Sequence, residues 1–272
     1  MSEIQPKNVK RRVELREIGL HGEDVLIVGS GGKEHALSWK LCQSPNVGSI
    51  YGAPGNAGMS VIQTGISATD IDGIVKFVDV NKNIKLTVVL SDDPKSSELV
   101  NKLTARGRRV FGADAAANDF IWRHGLCAAT DCYEIVCGEH CSRAVKSKYS
   151  DDEVQALLPL LQSDLYKIMN AAIDGTLDKI ELKWSCKRSV SVTLKSDGKT
   201  GCIISGLNFV DNDVNVFFNS VAQCGGHLIA SGERVLCVNA VADDFETAKK
   251  KAYDNIAKIE LGIRNCQKGF YS

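Results

Sequence analysis

Three groups of residues have types and spacing that could do chemistry. The first is Gly29-Ser30-Gly31-Gly32-Lys33-Glu34-His35, which follows an apolar run over 25–28. A glycine turn from strand to helix aims backbone N–H groups and the positive helix end at one point, which favours an anion such as a phosphate. Glycine lets a ligand approach the backbone, Lys33 adds charge and His35 adds a donor. The string GSGGKEHA is not the G-x-G-x-x-G of dinucleotide-binding turns. Plain strand–helix packing is the alternative reading. The second group is the carboxylate pair Asp151 and Glu153 at the start of a helical stretch. Acids there complement the helix dipole, and that reading is preferred to metal ligation. The third is His124, Cys127, Cys132, Cys137, His140 and Cys141, six soft or borderline donors within 18 residues. Four such donors suffice for tetrahedral zinc. No C-x2-C pair occurs among them, so a reduced cysteine-rich linker is preferred and structural zinc is the alternative.

The elements that must position these residues fall into two sets. Strands are predicted over 24–29, 49–51, 86–90 and 109–111, and helices over 33–43, 71–80 and 97–105, with the loop Ala-Pro-Gly-Asn-Ala-Gly over 53–58. Strands alternating with helices of this length predict a parallel sheet with crossovers. The segment 127–150 has no clean period and reads as a linker. Beyond it, helices are predicted over 153–161 and 164–173. Strands follow over 189–194, 201–204, 214–219, 227–230 and 234–240, and a helix over 245–261 closes the set. The expected division is a polar tail over 1–23, an α/β domain over 24–126, the linker over 127–150 and an α+β domain over 151–272.

The 272 residues suffice for two domains with real cores. A formal net charge of zero argues against a nucleic-acid binder, which needs a basic face. No apolar run reaches the ~18–20 residues of a membrane span. The first twenty residues are polar and carry acids, unlike a signal or transit peptide, so the expected compartment is the cytoplasm. Its ten cysteines are then expected mainly as thiols.

The longer string VGSGGKEHALSWKLCQSP, followed by YGAPGNAG, resembles the start of the phosphoribosylamine–glycine ligase family, with Lys33 where the family has arginine. FGADAAANDFIWRHG, LLPLLQSDLYKIMNAAIDGTL (157–177) and the stretch from GERVL to the last helix also resemble it. The resemblance implies a Rossmann-like pre-ATP-grasp domain followed by a smaller C-terminal α+β domain. It implies a place in purine synthesis, where such enzymes join glycine to phosphoribosylamine with ATP and magnesium. It also implies sugar-phosphate contacts at Gly31, Gly32, Lys33, Glu34, His35, Asn56 and Gly58. The small-molecule partner is then a sugar phosphate, and the expected protein partner is a second copy or a purine-pathway enzyme.

Departures from the family pattern qualify that activity. Only 33 residues, 118–150, stand where the family has its nucleotide-clamping ATP-grasp domain. The metal-site string near E-x-N-x-R-F-G-D-P-E is broken, with Cys141 in place of the amide ligand. The family's F-H-A-G-T becomes Phe217-Phe218-Asn219-Ser220-Val221. The expectation is a degenerate relative with no catalytic residues and no cofactor in this chain. A working fragment completed by a partner and a metal-stabilised interaction protein are the alternatives.

Overall fold

A computed structural model describes residues 22–91, 93–112, 133–137, 140–142 and 151–262, the stretches 133–137 and 140–142 as backbone only. His124, Cys127 and Cys132 of the proposed metal cluster, and nearly all of the polar tail, lie outside the described residues.

The first sheet is built from the alternating elements the sequence predicts, with one further short strand over Ile62–Gln63. Its strands are β1 (Glu23–Gly29), β2 (Val47–Pro54), β3 (Ile62–Gln63), β4 (Ile84–Val89) and β5 (Val110–Gly112). They lie in the order β3-β2-β1-β4-β5, all parallel. The helices are α1 (Gly32–Leu41), α2 (Ile71–Val80) and α3 (Pro94–Thr104). Helix α3 begins three residues before the predicted start. Asp93 accepts the Lys95 N–H and Pro94 occupies the first turn, where its missing donor costs nothing.

Both faces of this sheet are covered, and the two covers come from different parts of the chain. Leu26, Val28 and Val89 pack with Ile74 and Val78 of α2 and Leu99 and Leu103 of α3. On the opposite face Val25, Ile27, Leu86 and Val88 pack with Leu37 and Leu41 of α1. They share that cluster with Val154 and Leu157 of α4 (Asp151–Leu157), Ile168 and Met169 of α5 (Leu165–Ile173), and Phe217. Strands buried on both faces read as continuous apolar runs, which is how β1 and β4 appear in the sequence.

The C-terminal part holds two more sheets. One contains β6 (Tyr133–Cys137), β7 (His140–Ser142), β8 (Arg188–Lys195), β10 (Asn215–Phe218) and β13 (Arg234–Ala242), in the order β10-β13-β8-β6-β7. The other contains β9 (Ile203–Ser205), β11 (Val221–Cys224), β12 (His227–Ala230) and β14 (Glu260–Gly262), in the order β11-β12-β9-β14. Helix α6 (Phe245–Ile256) follows β13, with Ala248 and Ala252 buried against Val190, Val192 and Val238. Sequence expectations differ at several points: β11 falls between the predicted strands, and the helix predicted over 153–161 is α-helical over Asp151–Leu157 and ends in a 3-10 turn over Leu158–Leu160. The segment 127–150 is not irregular throughout: Tyr133–Cys137 pairs in parallel with β8 and Cys137 lies opposite His140. The last helix ends at Ile256, not at 261, because Glu260–Gly262 leaves it to pair with β9.

Polar ties join the two parts. Arg109, which precedes β5, makes a two-pronged ion pair with Asp174, at 2.7 and 2.8 Å, and donates to the Asn170 side chain. Asp164 accepts from Ser44 and Asn46, and Lys40 donates to the Leu161 carbonyl. A core shared in this way predicts one cooperative unfolding transition. Phe217→Ala removes a fully buried ring from it and should cost about 3–5 kcal/mol. Denaturant unfolding followed by two probes, one in each part, checks this. Separate midpoints in the parent protein would contradict it.

Candidate functional site

The glycine turn lies where the first sheet meets β10 and α4. Gly29 ends β1 at φ +129°, a conformation that side chains rarely adopt. Gly31 is the N-cap of α1. Its N–H donates to Glu34 Oε2 at 2.8 Å, and the Gly32 N–H donates to Asp151 Oδ2 at 3.3 Å. Two successive amides at a helix start therefore hold two carboxylates. Lys33 does not face them with its ammonium, which donates to the Leu90 carbonyl at 2.8 Å just beyond β4.

The other expected contact residues are used in packing. His35 is buried, and its Nδ1 accepts the Phe218 N–H at 2.9 Å. Its ring meets Phe217 and Phe218 edge-on, at 5.7 and 5.6 Å between centroids. Asn56 donates to the carbonyls of Ser30 and Phe218 and accepts from the N–H groups of Gly58 and Met59. An amide side chain has two N–H donors and two lone pairs on its oxygen, so that of Asn56 is fully engaged. Gly58 lies under the Phe218 ring, which any Cβ there would overlap. At Gly32 a Cβ would overlap Asn219 Oδ1 and Gln155 Nε2, which hydrogen-bond to each other at 2.6 Å.

Burial sets the electrostatics. Glu34 is pushed up to about 7, chiefly by desolvation, with Lys33 opposing and Asp151 adding to the rise. His35 is pushed down to about 3 by burial, which keeps it neutral and able to accept a proton-bearing N–H. Lys40 falls to about 8 by desolvation, with Asp164 opposing.

The structure thus gathers Gly31, Gly32, Lys33, Glu34, His35, Asn56 and Gly58 around one junction. Gln155, Phe218 and Asn219 close it; sequence reasoning missed Gln155 and met Phe218 and Asn219 only as a departure from the family's F-H-A-G-T. Each lies more than 100 residues from the turn, and no local pattern ties them to it. The pair Asp151 and Glu153 is parted: Asp151 takes the Gly32 amide, and Glu153 is buried. Asp152 instead pairs with Arg234. Among the described residues, no three His, Cys, Asp or Glu side chains converge as a metal site.

Residues 23–120 match the family model described as phosphoribosylglycinamide synthetase, N domain, and residues 196–266 match that of the C domain. The chain belongs to the phosphoribosylamine–glycine ligase family. It is 23% identical to phosphoribosylamine–glycine ligase of Allochromatium vinosum, in an alignment spanning 90% of this chain and 97% of that protein. That alignment runs over 415 residues and this chain has 272, so at least 143 positions of the relative face a gap. The N-terminal part is closer: the Haemophilus influenzae ligase is 41% identical over 117 residues, or 38% of this chain and 27% of that protein. A phosphoribosylamine–glycine ligase of known structure from Thermotoga maritima has the same fold, with a TM-score of 0.59 at 13% identity, covering 88% of this chain and 97% of that one.

The ligase-family turn of this chain has a testable electrostatic signature. Unfolded, Glu34 ionises near 4.5; folded, near 7, so its contribution to stability is present below pH 4.5 and lost as pH rises to 7. His35 does the opposite: its contribution is present above pH 6.5 and lost as pH falls towards 3. Between pH 4.5 and 6.5 the two slopes cancel. Glu34→Gln should remove one of them, so that variant and parent differ by about 1.4 kcal/mol more for each pH unit lost in that window. Urea midpoints at pH 4.5, 5.5 and 6.5 measure it. A constant difference would contradict the burial-driven shift of Glu34.

Proposed function

We propose that this chain is a non-catalytic member of the ligase family that retains a sugar-phosphate binding site at the glycine turn. The observation that carries the reading is the 75-residue interval, 121–195, between the segments matching the N and C domains. Its described residues are already spent. Tyr133–Cys137 and Arg188–Lys195 are strands of the C-terminal sheet, and α4 and α5 are part of the core under the first sheet. Phosphoryl transfer needs a nucleotide held between cation and metal contacts.

Binding at the turn rests on the paired N–H groups of Gly31 and Gly32 at the positive end of α1 and on the charge of Lys33, whose ammonium would leave the Leu90 carbonyl for the ligand. His35, Asn56 and Gly58 hold its shape and do not reach a ligand in this reading. We place the protein in the cytoplasm, with a second copy or a purine-pathway enzyme as its protein partner. The division into parts over 24–126 and 151–272 belongs to the same reading. No described helix is long and apolar enough to cross a membrane.

Incubation with ATP, magnesium, glycine and freshly generated phosphoribosylamine should release no ADP above the blank. ADP release dependent on both glycine and the amine, at the ~1–1000 s⁻¹ of ordinary enzymes, would overturn the non-catalytic reading. Glycinamide ribonucleotide should bind saturably in calorimetry, and Lys33→Glu should abolish that binding. Equal binding by parent and variant would remove the turn from the reading.

A further inference from the structure

We propose that the Asp151 carboxylate is a built-in occupant of the glycine turn, so that an external sugar phosphate binds by displacing it. The inference rests on the sugar-phosphate reading and adds its regulation: the site is held closed by the chain's own anion.

Three observations converge. The Gly32 N–H, which an anion at this helix start would use, donates to Asp151 Oδ2 across 119 residues of sequence. The preceding amide, Gly31, donates to Glu34. Both amides are thus held by negatively charged oxygen or by a carboxyl group that becomes so on ionisation. Lys33 has turned away to the Leu90 carbonyl, so its ammonium does not bond to either carboxylate. An incoming phosphate would meet negative charge where a vacant turn offers positive potential.

The third observation separates this arrangement from ordinary helix capping. Gln155 and Asn219, both more than nine-tenths buried, press against Gly32 and bond to each other. Gln155 Oε1 and Asn219 Nδ2 have no partner, so each amide that presses on Gly32 keeps one idle atom, an acceptor on Gln155 and a donor on Asn219. Buried polar atoms without partners cost stability, and an idle acceptor and an idle donor on the two amides that press on the turn match a ligand with hydroxyls. A sugar phosphate supplies both an anion for the Gly32 amide and hydroxyls that can donate to Gln155 and accept from Asn219. Asp151 supplies only the anion. In the closed state the anion seat is taken and the sugar contacts are unmade.

Asp151 opens α4, where Asp152 and Glu153 also complement the helix dipole, so loss of its charge leaves two acids in that turn. Asp151→Asn removes the charge, and Asp151→Ser is a second neutral variant in case the first does not fold. Ribose 5-phosphate is the charged probe and ribose the uncharged one, each titrated by calorimetry at low salt into the full-length protein. Either neutral variant should bind ribose 5-phosphate at least about fivefold more tightly than the parent, the least that a unit charge ~4 Å away is worth in water. Ribose should gain nothing, and the fivefold gain should shrink with added salt. If the parent binds ribose 5-phosphate and neither variant binds it more tightly, the displacement proposal fails and the sugar-phosphate reading stands. If neither parent nor variants bind it, both fail.

Discussion

The hydrogen bond from the Phe218 N–H to His35 Nδ1 is the contact on which the rest of the arrangement depends. Phe218 is on β10, the outermost strand of its sheet, and an edge strand carries amides that no neighbouring strand takes. His35 can accept such a proton only while neutral, and burial keeps it so. One imidazole therefore ties the helix that follows the glycine turn to the edge of a sheet 183 residues away. Phe217 and Phe218 meet that ring from the sides, Phe217 also meets Trp39, and Asn56 binds the Phe218 carbonyl. Charging His35 would cut the tie and place a cation among aromatic and aliphatic groups.

That junction explains why a turn of the shape that holds phosphates is so densely packed. The absence of a side chain at Gly32 and Gly58 is used by the chain's own residues, with Asn219 and Gln155 at one glycine and the Phe218 ring at the other. The missing side chains that would let a ligand approach let the C-terminal part approach. Packing and anion chemistry are both satisfied at one place, because carboxylates of the chain serve the amides while its amides and rings fill the space.

The layering has a matching logic. A parallel sheet needs both faces covered, and the N-terminal part supplies only α1 for one of them. Helices α4 and α5 complete that cover, and the ion pair of Arg109 with Asp174 closes the seam at the sheet's edge. The short interval between the two family segments is thus structural material for the sheet on either side of it.

The sequence by itself determined the parallel sheet, its helices and the location of the glycine turn, since apolar runs, helical spacing and a glycine string are local signals. It determined the family too, through strings such as VGSGGKEHA and APGNAG. It did not reveal β14, because residues after Ile256 still carry helical spacing and only pairing with β9 selects the strand. It did not reveal β6 and β7 within the cysteine-rich segment, which has no clean period and whose strands are selected by pairing with β8 and with each other. What only the tertiary structure decided is what each residue at the turn does. Glu34 reaches back to Gly31, Lys33 turns to Leu90, and Asn56 spends its whole amide on backbone. Those outcomes depend on Asp151, Gln155, Phe218 and Asn219, which reach the turn only after both parts fold against one core. A hydrogen-bonding group chooses among partners by distance in space, and distance in space is what a linear pattern of residue types leaves open.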